Sequence, residues 1–172
     1  MRYIELDTPA LLIDRERLTK NLKDMQSYAD AHGVALRPHT KTHKCPEIAK
    51  MQLAAGACGI AVAKVGEAEA MAEAGLDDLF IANEIVGEAK LRRIAALAKR
   101  GVKLAFGVDT PCQVTAAESV FAQEGVSVPV LVEIEVGENR SGVIEEADFL
   151  ALLDTIRICP HVPFGGIFSH DG

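Results

Sequence analysis

The chain has 172 residues, 49% of them hydrophobic and 25% charged, which suits one globular domain with a substantial core. A formal net charge of -7 and a pI near 5.2 exclude the basic face that nucleic acid or an anionic membrane would need, leaving small molecules or other proteins as partners. The N-terminus reads MRYIELDTPALLID, without a basic-then-apolar leader, and no run approaches the roughly 18 apolar residues that span a bilayer, so a soluble cytoplasmic protein is expected.

In chain order, short apolar runs alternate with amphipathic stretches rich in Ala, Leu, Glu and Lys. The spacing predicts strands at 10–13, 34–41, 58–63, 79–82, 103–108, 128–136 and 164–169. Helices are predicted near 15–31, 46–55, 66–74, 87–99, 111–124 and 145–157. Thr110 before Pro111 reads as an N-cap followed by proline at the first helical position, and Gly101 and Gly125 read as helix-terminating glycines. Strands alternating with helices give a parallel sheet and place the chain in the α/β class. The pattern alone leaves two architectures open, a doubly wound sheet and a (β/α)₈ barrel. At most seven strands fit, whereas a closed barrel takes about 250 residues, so as a barrel the chain is incomplete. GxGxxG and GxxxxGK[ST] are both missing, which removes the usual nucleotide signatures of doubly wound sheets. Cys45, Cys58, Cys112 and Cys159 form no CxxC pair and are expected as reduced, mostly buried thiols.

Three segments carry chemistry. The first is Arg37-Pro38-His39-Thr40-Lys41-Thr42-His43-Lys44, after the apolar lead-in Val34-Ala35-Leu36. If it continues as a strand, alternation puts Arg37, His39, Lys41 and His43 on one face, a cationic surface that calls for an anionic ligand. Crowding by cations would favour the neutral amine of Lys41 and make it a nucleophile. The alternative is a chain that leaves the strand at His39 and displays a solvated basic loop. The second segment runs from Val132 to Gly142, a strand entering a glycine-flanked loop from which Arg140 can reach an anionic oxygen. The third, Gly165 to Gly172, is a strand end carrying His170, which can stack on a ring or transfer protons near neutral pH. An exposed loop arginine and a structural histidine are the competing readings of the last two.

At these residues the chain resembles the N-terminal part of the fold-type III pyridoxal 5′-phosphate (PLP) enzymes, in the branch containing D-threonine aldolase, D-serine dehydratase and 3-hydroxyaspartate lyases. The resemblance rests on Asp7-Thr8-Pro9-Ala10 with Leu11-Leu12-Ile13-Asp14, the block around Lys41, Ala63-Lys64-Val65-Gly66-Glu67-Ala68-Glu69, the Val136 to Gly142 loop and Gly166 to Gly172. It implies an alanine racemase-like, PLP-binding TIM-type barrel, of which residues 1–172 supply about six or seven strands, with the family's C-terminal β domain absent. It implies that Lys41 carries the cofactor as a Schiff base, that Arg140 contacts its phenolic oxygen, and that His170 lies in the same pocket, with His39 beside Lys41 among the cofactor-binding residues. Lys41 and His170 are the expected catalytic residues. The implied activity is a lyase acting on D-3-hydroxy amino acids, first a D-threonine aldolase-like cleavage to glycine and an aldehyde, then a D-serine dehydratase-like elimination or racemisation. A non-catalytic PLP-binding protein is the alternative from another class. No metal ligand is expected within the chain; the family's divalent metal is held by residues beyond it, and the family commonly forms homodimers. One departure is Phe168, where dehydratases of the family carry tyrosine two residues before the histidine.

Overall fold

The computed structural model describes residues 3–171. Five parallel strands form one sheet: β1 (Ile60–Val62), β2 (Asp78–Glu84), β3 (Lys103–Val108), β4 (Val130–Ile134) and β5 (Phe164–Ser169), in the spatial order β1-β2-β3-β4-β5. Six helices alternate with them: α1 (Arg15–Ala31), α2 (Pro46–Ala55), α3 (Val65–Glu73), α4 (Glu88–Lys99), α5 (Pro111–Glu124) and α6 (Glu146–Arg157). A doubly wound sheet reverses its strand order at a switch point, and this one never does. Consecutive helices also pack side by side, α3 on α4, α4 on α5 and α5 on α6, as they do when they cover one face of a curving sheet. The chain is an arc of a (β/α) barrel.

Alternation within each strand separates the two faces. Leu79, Ile81, Leu104, Phe106, Val108, Val130 and Val132 point outward and are buried under the helices. From the helical side they meet Leu91 and Ile94 of α4, Val114 and Phe121 of α5, and Leu152 of α6. Phe106 and Phe121 meet edge to face, with ring centroids 6.1 Å apart. The opposite residues, among them Phe80, Ala82, Glu84, Glu133 and Phe168, face the inside of the arc and line a cavity.

Helix positions follow their end signals. Asp14 caps α1 by accepting from the Arg17 N–H at 3.0 Å, and in the first turn of α5, after Pro111, Gln113 reaches back to accept the Thr110 N–H at 3.2 Å. Gly101, just beyond α4, and Gly125, at the end of α5, both take positive φ.

Among the described residues the strands number five, fewer than the six or seven expected. Residues 10–13 form no strand: no neighbouring strand offers them a ladder, and Leu11 is fully exposed. Residues 34–41 run beside β1 only in part. The Cys58 N–H donates to Leu36 O at 2.9 Å and the Ala61 N–H to Pro38 O at 2.8 Å, but the pairing ends in a single bridge between His39 and Ala61.

Candidate functional site

The chain turns at His39 because the ring nitrogen Nδ1 accepts the Lys41 N–H at 3.1 Å, which tightens Thr40–Thr42 into a 3₁₀ turn. Thr40 is fully buried, its hydroxyl donating to Ala61 O at 3.3 Å, so the turn is pinned to the end of β1. Lys44, at φ +49°, extends this clamp by donating from Nζ to Glu67 Oε1 at 2.8 Å. The other oxygen of Glu67 accepts the Ala63 N–H at 2.8 Å. Burial works to raise the Glu67 carboxyl, but the Lys44 and Ala63 hydrogen bonds hold it below the usual carboxylate value.

This turn corrects the four-residue cationic face. Arg37, His39 and Lys41 do reach the same cavity, but alternation stops at His39, and His43 is not among its lining residues. The His43 ring instead accepts the Cys45 N–H at 3.1 Å, and burial pulls its pKa down. Arg37 is neutralised by Asp78, 2.7 Å away at the start of β2, crossing above Gly59, where a Cβ would sit 2.1 Å from its Nη1. Burial, then the charge of Lys41, lowers the pKa of His39 and favours its neutral form. Arg37 and Lys44 are thus taken up by Asp78 and Glu67, whereas Lys41, among the described residues, makes no ion pair with a carboxylate.

Arg140 comes from a loop that leaves β4 and folds back onto it. The Val143 N–H donates to Glu133 O at 2.8 Å and the Glu135 N–H to Val143 O at 3.1 Å, closing the loop at its base. Inside it the Glu135 carboxylate accepts the N–H groups of Gly137 at 2.8 Å and Asn139 at 2.6 Å, and the Asn139 bond, opposed by burial, keeps that carboxyl below its usual pKa. Gly142, at φ +100°, passes so close to β4 that a Cβ would lie 2.7 Å from Glu135 N; its own N–H reaches Asp109 Oδ2 at 3.3 Å. The Arg140 guanidinium then stands 3.8 Å from both Glu133 and Glu138.

His170 follows β5, whose register slips at Gly165 and Gly166 and then runs Glu133 opposite Phe168 and Ile134 opposite Ser169. Its Nδ1 lies 2.8 Å from Glu138 Oε2. Phe168 points into the arc, edge-on to Phe80 with centroids 5.1 Å apart, in space that Gly107 leaves free: a Cβ on that glycine would lie 2.8 Å from the Phe168 ring.

Lys41, His39, Arg140 and His170 therefore line one cavity of about 450 Å³ at the carboxyl ends of the strands. The carboxylates that share it carried no sequence signal of their own. Glu133 is only 3% exposed and accepts the Ser141 hydroxyl at 3.1 Å. Glu84 is brought opposite Gly107 by an irregularity in β2, and one of its oxygens is buried without a partner. Burial, then contact with Glu133, pushes the Glu84 carboxyl up to about 8, so it holds a proton at neutral pH.

Residues 13–172 match the model of the alanine racemase N-terminal domain. The chain belongs to that family. Within the family it is 45% identical to a D-threonine aldolase from an Arthrobacter species over 97% of this chain and 44% of that protein. It is 37% identical to the D-threo-3-hydroxyaspartate dehydratase of Delftia sp. (strain HT23), over 98% of this chain and 44% of the relative. The crystal structure of D-threonine aldolase from Filomicrobium marinum superimposes with a TM-score of 0.93 at 40% identity, covering 97% of this chain and 45% of that one. The chain spans less than half the length of these relatives. Among its described residues no helix is long and apolar enough to cross a membrane, and no group of three or more His, Cys, Asp or Glu is placed to hold a metal ion.

Proposed function

We propose that this chain forms the lysine-bearing part of a PLP-dependent lyase that cleaves D-3-hydroxy amino acids, of the D-threonine aldolase kind, to glycine and an aldehyde. The observation that carries the reading is the convergence of Lys41 and His39 from the turn beside β1, Arg140 from the loop after β4 and His170 from the end of β5 on one cavity. At about 450 Å³ the cavity suits a small planar ligand, and its groups match the aldehyde and phenolic-oxygen edges of PLP. Lys41 would hold the cofactor through its amine, Arg140 would face the phenolic oxygen with a donor that stays charged, and His39 and His170 would flank the ring. Bound there, PLP supplies an electron-accepting ring that stabilises charge on the substrate α-carbon when a bond to that carbon breaks.

Within the chain, Lys41 and His170 are the groups suited to take and return protons at the substrate. Phe168 packs against Phe80 and offers no hydroxyl, which favours carbon–carbon cleavage over dehydratase-type elimination. The relatives named for aldolase chemistry and the 45% identity to one of them support the same order. The reading extends to a divalent metal at the substrate hydroxyl with ligands outside these residues, to further barrel strands and a C-terminal β domain supplied beyond them, and to a homodimer.

Purified protein incubated with PLP is expected to develop a visible absorption band, and borohydride reduction to fix the cofactor on the peptide carrying Lys41. D-threonine, and not L-threonine, is expected to release glycine. A K41A variant should lose both the band and the covalent label. A band with no glycine would leave a non-catalytic PLP-binding protein, and labelling at any lysine other than Lys41 would overturn the site.

A further inference from the structure

Glu138 is no part of the sequence-based site, yet its carboxylate stands between two of the groups expected to face the cofactor. Glu138 Oε2 lies 2.8 Å from His170 Nδ1 and 3.8 Å from Arg140 Nη1, and both of those residues line the central cavity. The placement is built by the backbone. Glu135 ties down Gly137 and Asn139 on either side, Asn139 adopts φ +52°, and Glu138 is turned across to the end of β5.

A carboxylate can only accept, so the hydrogen in the contact belongs to the imidazole and sits on Nδ1. Neutral histidine in water prefers the proton on Nε2. Glu138 reverses that preference and leaves Nε2 as the nitrogen with the free lone pair. The same oxygen attracts Arg140, which Glu133 draws from another side at 3.8 Å. We infer that Glu138 is a positioning residue: its carboxylate fixes the tautomer and ring orientation of His170 and holds Arg140 alongside it, so that one loop residue sets two of the site's cofactor-facing groups. The inference rests on the PLP reading for its purpose, although its geometry does not.

The two contacts separate by substitution. E138A removes both; E138Q keeps an acceptor for the imidazole but loses the charge that attracts Arg140. Long-range ¹H–¹⁵N spectra of the cofactor-free 172-residue chain at mildly alkaline pH, with His170 assigned by H170N, read the tautomer directly. The wild-type ring and that of E138Q are expected to be protonated on Nδ1, and the E138A ring to shift toward Nε2. PLP titration should give a dissociation constant about tenfold weaker for E138A, the size of one charge-assisted hydrogen bond, with E138Q in between. Thermal midpoints should match in all three, because Glu135 and Asp109, and not Glu138, pin the loop. An unchanged tautomer in E138A, or PLP binding as tight as wild type, would overturn the inference. If the wild-type chain binds no PLP, the cofactor reading fails, and the tautomer measurement still decides whether Glu138 orients His170.

Discussion

Glu84 and Glu133 bring two carboxyl groups together on the inner face of the sheet, with Asp109 close enough to add to the repulsion. Burial and those like charges keep Glu84 protonated up to about 8, whereas in the unfolded chain it ionises near the ordinary glutamate value. Between those two values the folded state holds the extra proton, so stability falls as pH rises through that window and is flat on either side. E84Q replaces the protonated acid with a permanently neutral isostere. It should leave stability unchanged at the acid end and raise it by about 1–2 kcal/mol above pH ~8, a figure discounted for the half-open setting of the group. Urea titrations of both proteins across that range measure the difference, and equal pH profiles would contradict a proton held on Glu84. Glu67 runs the other way: its depressed pKa stabilises the fold above the ordinary carboxylate range, and that contribution disappears as pH falls below it. None of this was legible from spacing. Lys41 and Arg140 announce themselves by charge next to strand ends, but Glu84 becomes a site residue only through the irregularity of β2 that sets it against Gly107, and that follows from tertiary packing.

At the scale of elements, helices were more readable than strands because their ends are encoded locally. Asp14, Thr110 with Pro111 and Gln113, and the glycines at 101 and 125 mark where helices stop and start, independently of what they pack against. A strand exists only if a neighbour pairs with it. That is why the patterns at 103–108 and 164–169 form complete strands, whereas 10–13 forms none and 34–41 ends in one bridge. The alternation argument for the Lys41 block failed on a single hydrogen bond, His39 Nδ1 to the Lys41 N–H, which no periodicity reports. The loop from β4 is the element on which the site most depends, and Gly142 is its weak point. A Cβ there meets Glu135 N at 2.7 Å and Ile134 C at 2.8 Å, both backbone atoms, on a residue at φ +100°. G142A should therefore cost about 1–3 kcal/mol and shift Arg140, weakening PLP binding more than a G75A control. Gly75 also has a positive φ, but nothing lies within 4 Å of its added Cβ and it is remote from the cavity. Thermal unfolding and PLP titration of the two variants separate backbone strain from loss of the arginine.

For the whole molecule, the arc has one face covered by helices as far as β4 and then a strand whose outer side is bare. Ile167 lies opposite the fully buried Val132, yet it is 60% exposed, and Phe164 at the start of the same strand is exposed as well. β5 also ends the sheet, so its outer edge presents unpaired N–H and C=O groups next to that apolar surface. An open parallel edge beside exposed Ile and Phe is a template for another chain, and the net charge of -7 opposes it only weakly once salt screens it. The 172-residue chain should therefore associate in solution as dimers or larger species, increasingly so at higher salt. I167K places a charge on the bare outer side of β5, away from the cavity, and should shift the population toward monomer without reducing PLP binding. Light scattering coupled to size exclusion, at two ionic strengths, measures this for both proteins. A wild-type chain that stays monomeric at high salt would contradict association through the exposed edge.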